Sequence, residues 1–163
     1  MLGKAMLESL LAYDAWAMEK LLAQAAGLTQ EQLDAPTQYG RGSIRQLLFH
    51  SVGALEVWAT VLATGSRPAQ RRSRDAFPTL DDLRGYADEV NGMARAALAQ
   101  HSEEALAEVV TTTDPRGNPW PLARWHMLAQ PLTHAMQHRA EVAAELTRWG
   151  RSPGDLDFVF FAL

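Results

Sequence analysis

The chain has 163 residues, of which 47% are hydrophobic and 21% are charged, a composition typical of a soluble globular protein long enough to bury a core. The 15 basic and 19 acidic residues give a net charge of −4, which argues against a nucleic-acid-binding protein because such proteins usually present a basic face. The sequence contains no cysteine, so disulfides, thiolate metal ligands and cysteine nucleophiles are excluded. Any metal site must therefore use nitrogen and oxygen ligands.

The N-terminal segment does not have the pattern of a signal peptide. Glu8 and Asp14 interrupt its apolar run, and it has no cleavage site. No stretch of the sequence approaches the roughly 18 consecutive apolar residues of a membrane span. We therefore expect a cytoplasmic protein that binds neither membrane nor nucleic acid.

The spacing of apolar residues predicts four long helices. Leucines and other apolar residues recur three and four positions apart, and Ser, Thr, Pro and Gly residues lie where helices should begin and end. We predict an all-α protein: residues 1–163 form a single domain, a four-helix bundle with a long crossover connection and a short extended arm before the last helix. The apolar tail should pack back on the bundle. The predicted long helices cover residues 3–26, residues 44–62, a segment capped by Thr79, and residues 121–149. The predicted connections contain a helical turn at residues 29–33, a loop at 65–78, a β-branched arm at 109–113 and a tight turn at 114–117.

Two residues of the first helix interrupt its apolar pattern. Asp14 lies within the apolar stripe, where a lone carboxylate is costly, so we expect it to have a hydrogen-bonding or cationic partner. We interpret that partner as structural, with a role in a functional site as the alternative. Trp16 is predicted to point outwards and suggests a subunit contact.

The loop at residues 65–78 contains four arginines, two prolines and no periodicity. Clustered arginines can bind an anion. We interpret this run as a solvated loop, because charge runs without periodicity usually are.

Three histidines are the candidates for a metal site. His134 and His138 are four residues apart, so on a helix they lie on one side, about one turn apart. His50, in the second predicted helix, could supply a third ligand across the bundle, and three imidazoles with open positions are typical of a catalytic metal site. The alternative is a solvated polar face, because an ideal helical wheel places the pair opposite Met136. Pro131 predicts a kink just before the pair.

Other polar residues of this region have more open interpretations. Glu141, one turn past His138, is a candidate acceptor for a ligand imidazole or a general base. His126 could line the same cleft. His101 lies at the end of the third predicted helix, where a cation is favoured by the helix dipole, and we interpret it as structural.

Several short motifs, taken in order, resemble a known family. The chain is similar over essentially its whole length to the DinB/YfiT-like superfamily of metal-dependent four-helix bundles. The motifs that carry the resemblance are Tyr13-Asp14-Ala15-Trp16-Ala17 with Leu21-Leu22, Ser43-Ile44-Arg45-Gln46-Leu47-Leu48-Phe49-His50, His134-x3-His138-Arg139, and Pro153 with the acidic and aromatic ending.

The resemblance implies a four-helix bundle, commonly a homodimer, in which His50, His134 and His138 hold a divalent transition metal. Zinc and nickel are the favoured candidates, and iron, cobalt and manganese are compatible with such ligands. The sequence departs from the family in two places. Gln130 stands where many members have a further histidine, and Ala140-Glu141 follow Arg139 where many have glycine and glutamine.

Some relatives are thiol-dependent S-transferases or isomerases that use bacillithiol, mycothiol or glutathione. The leading hypothesis is therefore a metal-dependent enzyme, of the thiol-dependent S-transferase or hydrolase type, acting on a small-molecule substrate. Because the chain has no cysteine, a low-molecular-weight thiol would have to be a cosubstrate. Glu141 would be the candidate catalytic group for orientation or proton transfer. The alternatives are a non-catalytic metal-binding stress-response bundle in which the ion is structural, and a subunit-interaction bundle without metal.

Overall fold

Four long helices form the fold of the computed structural model, which describes residues 3–38, 42–114 and 116–163. Three short helices and one two-stranded sheet lie between and after them. This confirms the all-α four-helix bundle. The long helices are α1 (Lys4–Ala25), α3 (Ile44–Thr64), α4 (Leu80–Ala99) and α6 (His126–Arg148); the short ones are α2 (Gln30–Asp34), α5 (Glu103–Ala107) and α7 (Phe158–Ala162).

The helices are arranged so that consecutive long helices are not always neighbours. Helix α1 packs against α4 and α6, and α3 packs against the same two helices. Helices α1 and α3 therefore lie diagonally across the bundle. The space between the four helices is filled by aliphatic side chains and Tyr86. Residues buried at its centre include Leu7, Leu11, Leu21, Leu48, Leu83, Leu98 and Leu128.

The ends of the helices follow the capping signals in the sequence. The Ser43 hydroxyl accepts a hydrogen bond from the backbone N–H of Gln46 (3.2 Å) at the start of α3. Helix α3 ends at Gly65, whose φ of 77° lies in the left-handed region that favours glycine. Thr79 and Asp82 form the reciprocal capping box expected at the start of α4.

A β-hairpin replaces the predicted start of the last helix. Strands β1 (Val109–Thr113) and β2 (Pro119–Ala123) pair antiparallel, with Thr111 opposite Pro121. The sequence predicted a helix from about residue 121. That boundary is wrong because residues 119–123 complete the sheet, so α6 begins at His126. Part of the predicted 114–117 turn (Pro115) and part of the connection between the first and second predicted helices (residues 39–41) lie outside the described residues.

Helix α3 is the most apolar of the long helices. By length and composition alone it could cross a membrane, but 61% of its apolar window is buried inside the structure. That burial is the usual pattern of a helix in a protein core. The cytoplasmic location stays a prediction.

The C-terminal tail packs back on α1, as predicted. The Tyr13 ring lies 5.3 Å from the Phe158 ring, and its hydroxyl donates a hydrogen bond to the Leu156 carbonyl (2.6 Å). The Trp16 ring lies 5.9 Å from that of Phe161, so this tryptophan is half-buried by its own chain rather than pointing freely outwards. The homodimer, and a role for Trp16 in it, stay predictions.

A buried ion pair connects α1 to α6. The Arg139 guanidinium donates to the Asp14 carboxylate and also lies over the Tyr13 ring, 5.0 Å from its centroid. Asp14 is 8% exposed and Arg139 is 4% exposed. Burial raises the pKa of the Asp14 carboxyl, and the positive charge of Arg139 acts in the opposite direction. The structural partner expected for Asp14 is therefore Arg139.

Breaking this pair should cost much more stability than breaking an exposed one. In Arg139→Met the buried Asp14 carboxylate loses its counter-charge, and we expect the free energy of unfolding to fall by about 3–5 kcal/mol in urea titrations. The double variant Asp14→Leu/Arg139→Met removes both charges and should lose much less. Arg84→Met, which breaks exposed ion pairs, is the control and should lose less than about 1 kcal/mol. Equal losses for Arg139→Met and Arg84→Met would contradict this interpretation.

Candidate metal centre

The three histidines singled out in the sequence come together between α3 and α6. The Nε2 atom of His134 lies 3.0 Å from that of His50 and 3.1 Å from that of His138. The ring planes meet at angles of 78°, 83° and 84°, so the three rings converge edge-on from different directions. Two imidazole nitrogens on one tetrahedral zinc ion would be about 3.3 Å apart. The two measured distances are close to this separation, and the cluster is a candidate site for a single metal ion.

The hydrogen bond from His138 to Glu141 fixes which nitrogen of His138 faces the cluster. Its Nδ1 atom lies 2.8 Å from Oε2 of Glu141. A carboxylate accepts hydrogen bonds, so Nδ1 carries the proton and Nε2 presents a lone pair to the other two imidazoles. Gln137 donates to the other carboxylate oxygen of Glu141 (3.0 Å). Glu141 is thereby held on the side of the His138 ring away from the cluster.

The electrostatic environment favours the neutral form of His50. Partial burial lowers the pKa of His50, and positive charge on His138, His134 and Arg71 lowers it further. A neutral imidazole is the form that binds a metal. The same proximity that would hold an ion therefore disfavours protonation of this side chain.

The structure corrects the helical wheel of the last helix. Met136, assigned to the apolar side, is 54% exposed, whereas His138, assigned to the polar side, is only 3% exposed. The wheel was wrong here because α6 packs against two neighbours, α1 and α3, which together cover a wide face. Pro131 lies inside α6 and is buried. The kink at Pro131 stays a prediction.

The remaining histidines lie apart from the cluster. His126 is exposed, and its ring packs on Trp125 with a centroid distance of 3.9 Å. Among the described residues the only grouping of metal-ligating side chains is His50, His134 and His138, so His126 does not join it. His101 Nδ1 lies 3.0 Å from the Ala97 carbonyl at the end of α4, which agrees with a structural role.

Three adjoining cavities open beside the cluster. One of about 200 Å³ is lined by Gln46 and Leu47 together with the three histidines, which leaves space for a small ligand at the convergence of the Nε2 atoms. A larger cavity of about 560 Å³ adjoins it and shares His50. A third, of about 260 Å³, shares His50 and His134 and also contacts Gln130. The site is therefore open to solvent, unlike a closed structural metal site.

Two lining residues were missed from the sequence. Gln46 lies one turn before His50 on α3, so its spacing was a usable signal. Arg71 lines the two larger cavities, but it comes from the loop between α3 and α4. Arg71 is exposed, which agrees with the interpretation of that loop as solvated. A loop without periodicity gives no signal that this side chain also lines cavities beside the histidine cluster.

The fold resembles two solved structures, and the sequence matches one family model. The structure matches YfiT from Bacillus subtilis, described as a probable metal-dependent hydrolase with an unusual four-helix bundle topology, with a TM-score of 0.63 and 19% identity over 93% of this chain and 92% of that one. It also matches a histidine-to-alanine mutant of the mycothiol-dependent maleylpyruvate isomerase, with a TM-score of 0.51 and 14% identity over 87% of this chain and 63% of that one. A comparison with proteins of curated function found no match.

At such identities the structural likeness establishes the fold alone. The sequence match is more specific, because the model of the DinB family covers residues 1–163. That match agrees with the resemblance drawn from the tyrosine–aspartate and histidine motifs. The chain belongs to the DinB family.

Proposed function

We propose that this protein is a divalent-metal-dependent enzyme, of the thiol-dependent S-transferase or hydrolase type, acting on a small molecule. His50, His134 and His138 are the proposed ligands. Zinc and nickel are the first candidates, and iron, cobalt and manganese are compatible with three nitrogen ligands.

The convergence of three Nε2 atoms at the edge of a cavity carries this proposal. Near-contact distances of 3.0 and 3.1 Å join His134 to the other two rings, yet a single Nε2–H can serve only one of these contacts. A shared cation satisfies all three lone pairs at once. Because Glu141 fixes the His138 tautomer, that imidazole is already prepared for the role.

The chemistry follows from what the neighbouring residues can do. A divalent ion at this site would lower the pKa of a bound water, or of a thiol, into the physiological range. The adjoining cavities would hold the substrate next to His50 and His134. Glu141 lies behind His138 and acts through it, so we assign it a positioning role. A direct role for Glu141 in proton transfer stays a prediction.

The two structural relatives differ in the type of reaction that is given for them. YfiT is described as a probable metal-dependent hydrolase, and the isomerase is mycothiol-dependent. The chain has no cysteine, so thiol chemistry here would require the thiol as a cosubstrate. Both reaction types use an activated nucleophile, and the nucleophile is therefore what must be tested.

A structural ion is the second candidate function. The three proposed ligands come from two packed helices, so an ion would link α3 to α6 as well as bind a nucleophile. In that case metal removal would reduce stability without removing any activity. The open cavity beside the cluster favours the enzymatic role.

The first prediction concerns metal content. Protein purified without a histidine tag should bind about one zinc or nickel ion per chain, measured by plasma mass spectrometry after dialysis. His134→Ala should lose that ion because it removes the imidazole that lies between the other two. His126→Ala, which changes an exposed histidine outside the cluster, is the matched control and should keep it. Metal that survives His134→Ala would rule out this site.

The second prediction concerns Glu141. Glu141→Gln removes the charged acceptor of His138 Nδ1, and we expect metal affinity to fall about 10–100-fold in competition with a chelator dye. The metal affinity of Glu141→Asp should lie between that of the wild type and that of Glu141→Gln. The exposed Glu104→Gln serves as control. Unchanged affinity in Glu141→Gln would show that Glu141 does not position the ligand.

The third prediction concerns activity. Zinc- or nickel-loaded protein should transfer glutathione, mycothiol or bacillithiol to an aryl halide electrophile, or hydrolyse an activated ester, faster than the same metal in buffer. His134→Ala should show only the background rate, and His126→Ala should resemble the wild type. Background rates across all thiols and esters, combined with a lower melting temperature on metal removal, would favour the structural ion.

A further inference from the structure

The cavity of about 560 Å³ next to the histidine cluster has an unusual charge distribution for an acidic protein. Three arginines of the loop between α3 and α4 line it, namely Arg71, Arg72 and Arg74, together with one carboxylate, Glu56. The whole chain carries a net charge of −4. Three cationic side chains and one carboxylate therefore line the cavity beside His50.

Four of the side chains that line this cavity already have partners, and one of them, Arg74, lies 4.0 Å from the Asp75 carboxylate. Arg72 binds Glu56 (2.8 Å) and Glu89 (2.5 Å), and the Tyr86 hydroxyl donates to Glu56 (2.6 Å). Glu56 is thus neutralised within the protein and is not available to repel an anion. The Glu56–Arg72 pair also fixes the loop against α3, because the two residues come from these two elements.

Arg71 is in a different situation. Its guanidinium lies over Gly53, where an added Cβ atom would be 3.5 Å from its Nη2. The side chain is exposed and has no hydrogen bond or ion pair with another residue in the described ranges. It lines both larger cavities, and His50 is the other residue that the two share. The charge of Arg71 contributes to lowering the pKa of His50, which agrees with its proximity. A guanidinium that has no partner among the residues that the structure describes therefore lies beside the proposed metal site.

The rest of the cavity is suited to the apolar part of a small molecule. Phe49 and Tyr86 line it, with a centroid separation of 5.8 Å, and Phe77 stacks on Tyr86 at 4.3 Å. Its volume lies within the range of about 300–1,000 Å³ that is usual for small-molecule sites. An arginine fork matches the two coplanar oxygens of a carboxylate, and one free guanidinium can satisfy one such group.

We propose that Arg71 is the anion-recognition residue of this site and that the substrate or cosubstrate is a small carboxylate with an apolar part. The carboxylate pairs with Arg71, the apolar part lies against Phe49 and Tyr86, and the opposite end reaches the His50 edge of the cluster. The position of the reacting group rests on the proposed function, whereas the binding of the anion does not.

The test measures binding rather than turnover. Broadening of the fluorine NMR signal of 4-fluorobenzoate reports binding to the zinc-loaded protein, and neutral 4-fluorobenzamide should bind at least tenfold more weakly. Arg71→Gln should weaken 4-fluorobenzoate binding by about tenfold or more, because it removes a charge-assisted pair. Arg71→Lys should keep part of it. Arg95→Gln, which changes an exposed arginine of α4 outside the cavities, is the matched control and should bind like the wild type.

Further arms separate other sources of binding. If the carboxylate binds the guanidinium, 4-fluorobenzoate should still bind His134→Ala, and that binding should still depend on Arg71. If His134→Ala loses binding while Arg71→Gln keeps it, the probe binds only the metal, and this result contradicts the proposal. If 4-fluorophenyl phosphate binds more tightly than 4-fluorobenzoate and its binding depends on Arg71, the anionic group of the ligand is a phosphate rather than a carboxylate, and that part of the proposal is overturned. No binding of 4-fluorobenzoate to the wild type, or unchanged binding in Arg71→Gln, overturns the proposal. Metal content measured on the same samples keeps this result distinct from failure of the metal site.

Discussion

Helix α6 has to bury two consecutive polar side chains, His138 and Arg139, and the placement of the other helices depends on how each finds a partner. Adjacent residues lie about 100° apart around a helix, so the two side chains face different neighbours. Arg139 reaches α1 and pairs with Asp14, whereas His138 faces α3 and meets His50 and His134. A buried charge or imidazole without a partner is costly. The rotation of α6 between α1 and α3 is therefore set by polar partners as well as by apolar packing.

The two polar groupings have different consequences because their partners differ in kind. Asp14 and Arg139 neutralise each other, so this pair is complete within the protein. The histidine cluster differs, because Glu141 accepts a hydrogen bond behind His138 while three ring nitrogens converge in front of it. The Asp14–Arg139 pair stabilises the packing of α6 on α1. The histidine cluster faces a cavity, so it is the place where an added ion would be bound.

Much of the fold could be predicted from the sequence, because helix periodicity and caps are local signals. The capping box of Thr79 with Asp82 is one example. The need of Asp14 for a partner could also be inferred from its place in the apolar stripe of α1, although the partner itself is distant in sequence. The His50–His134–His138 grouping came from spacing together with family resemblance, and the structure brings these residues together. Two predictions were wrong because they depend on contacts between parts of the chain that are distant in sequence. Residues 119–123 form a strand only because β1 is available to pair with them, and Met136 is exposed because the faces covered by α1 and α3 do not match an ideal wheel.

Arg71 shows why the loop could not be interpreted without the tertiary structure. Its neighbour in sequence, Arg72, is bound by Glu56 and Glu89, whereas Arg71 has no carboxylate partner in the part of the chain that the structure describes. Nothing in the composition of the run distinguishes them. The difference depends on Glu56 of α3, which the Tyr86 hydroxyl of α4 also binds and which pairs with Arg72. The loop that Arg72 anchors therefore also carries Arg71, which lines the two cavities that His50 lines, where these cavities meet the histidine cluster.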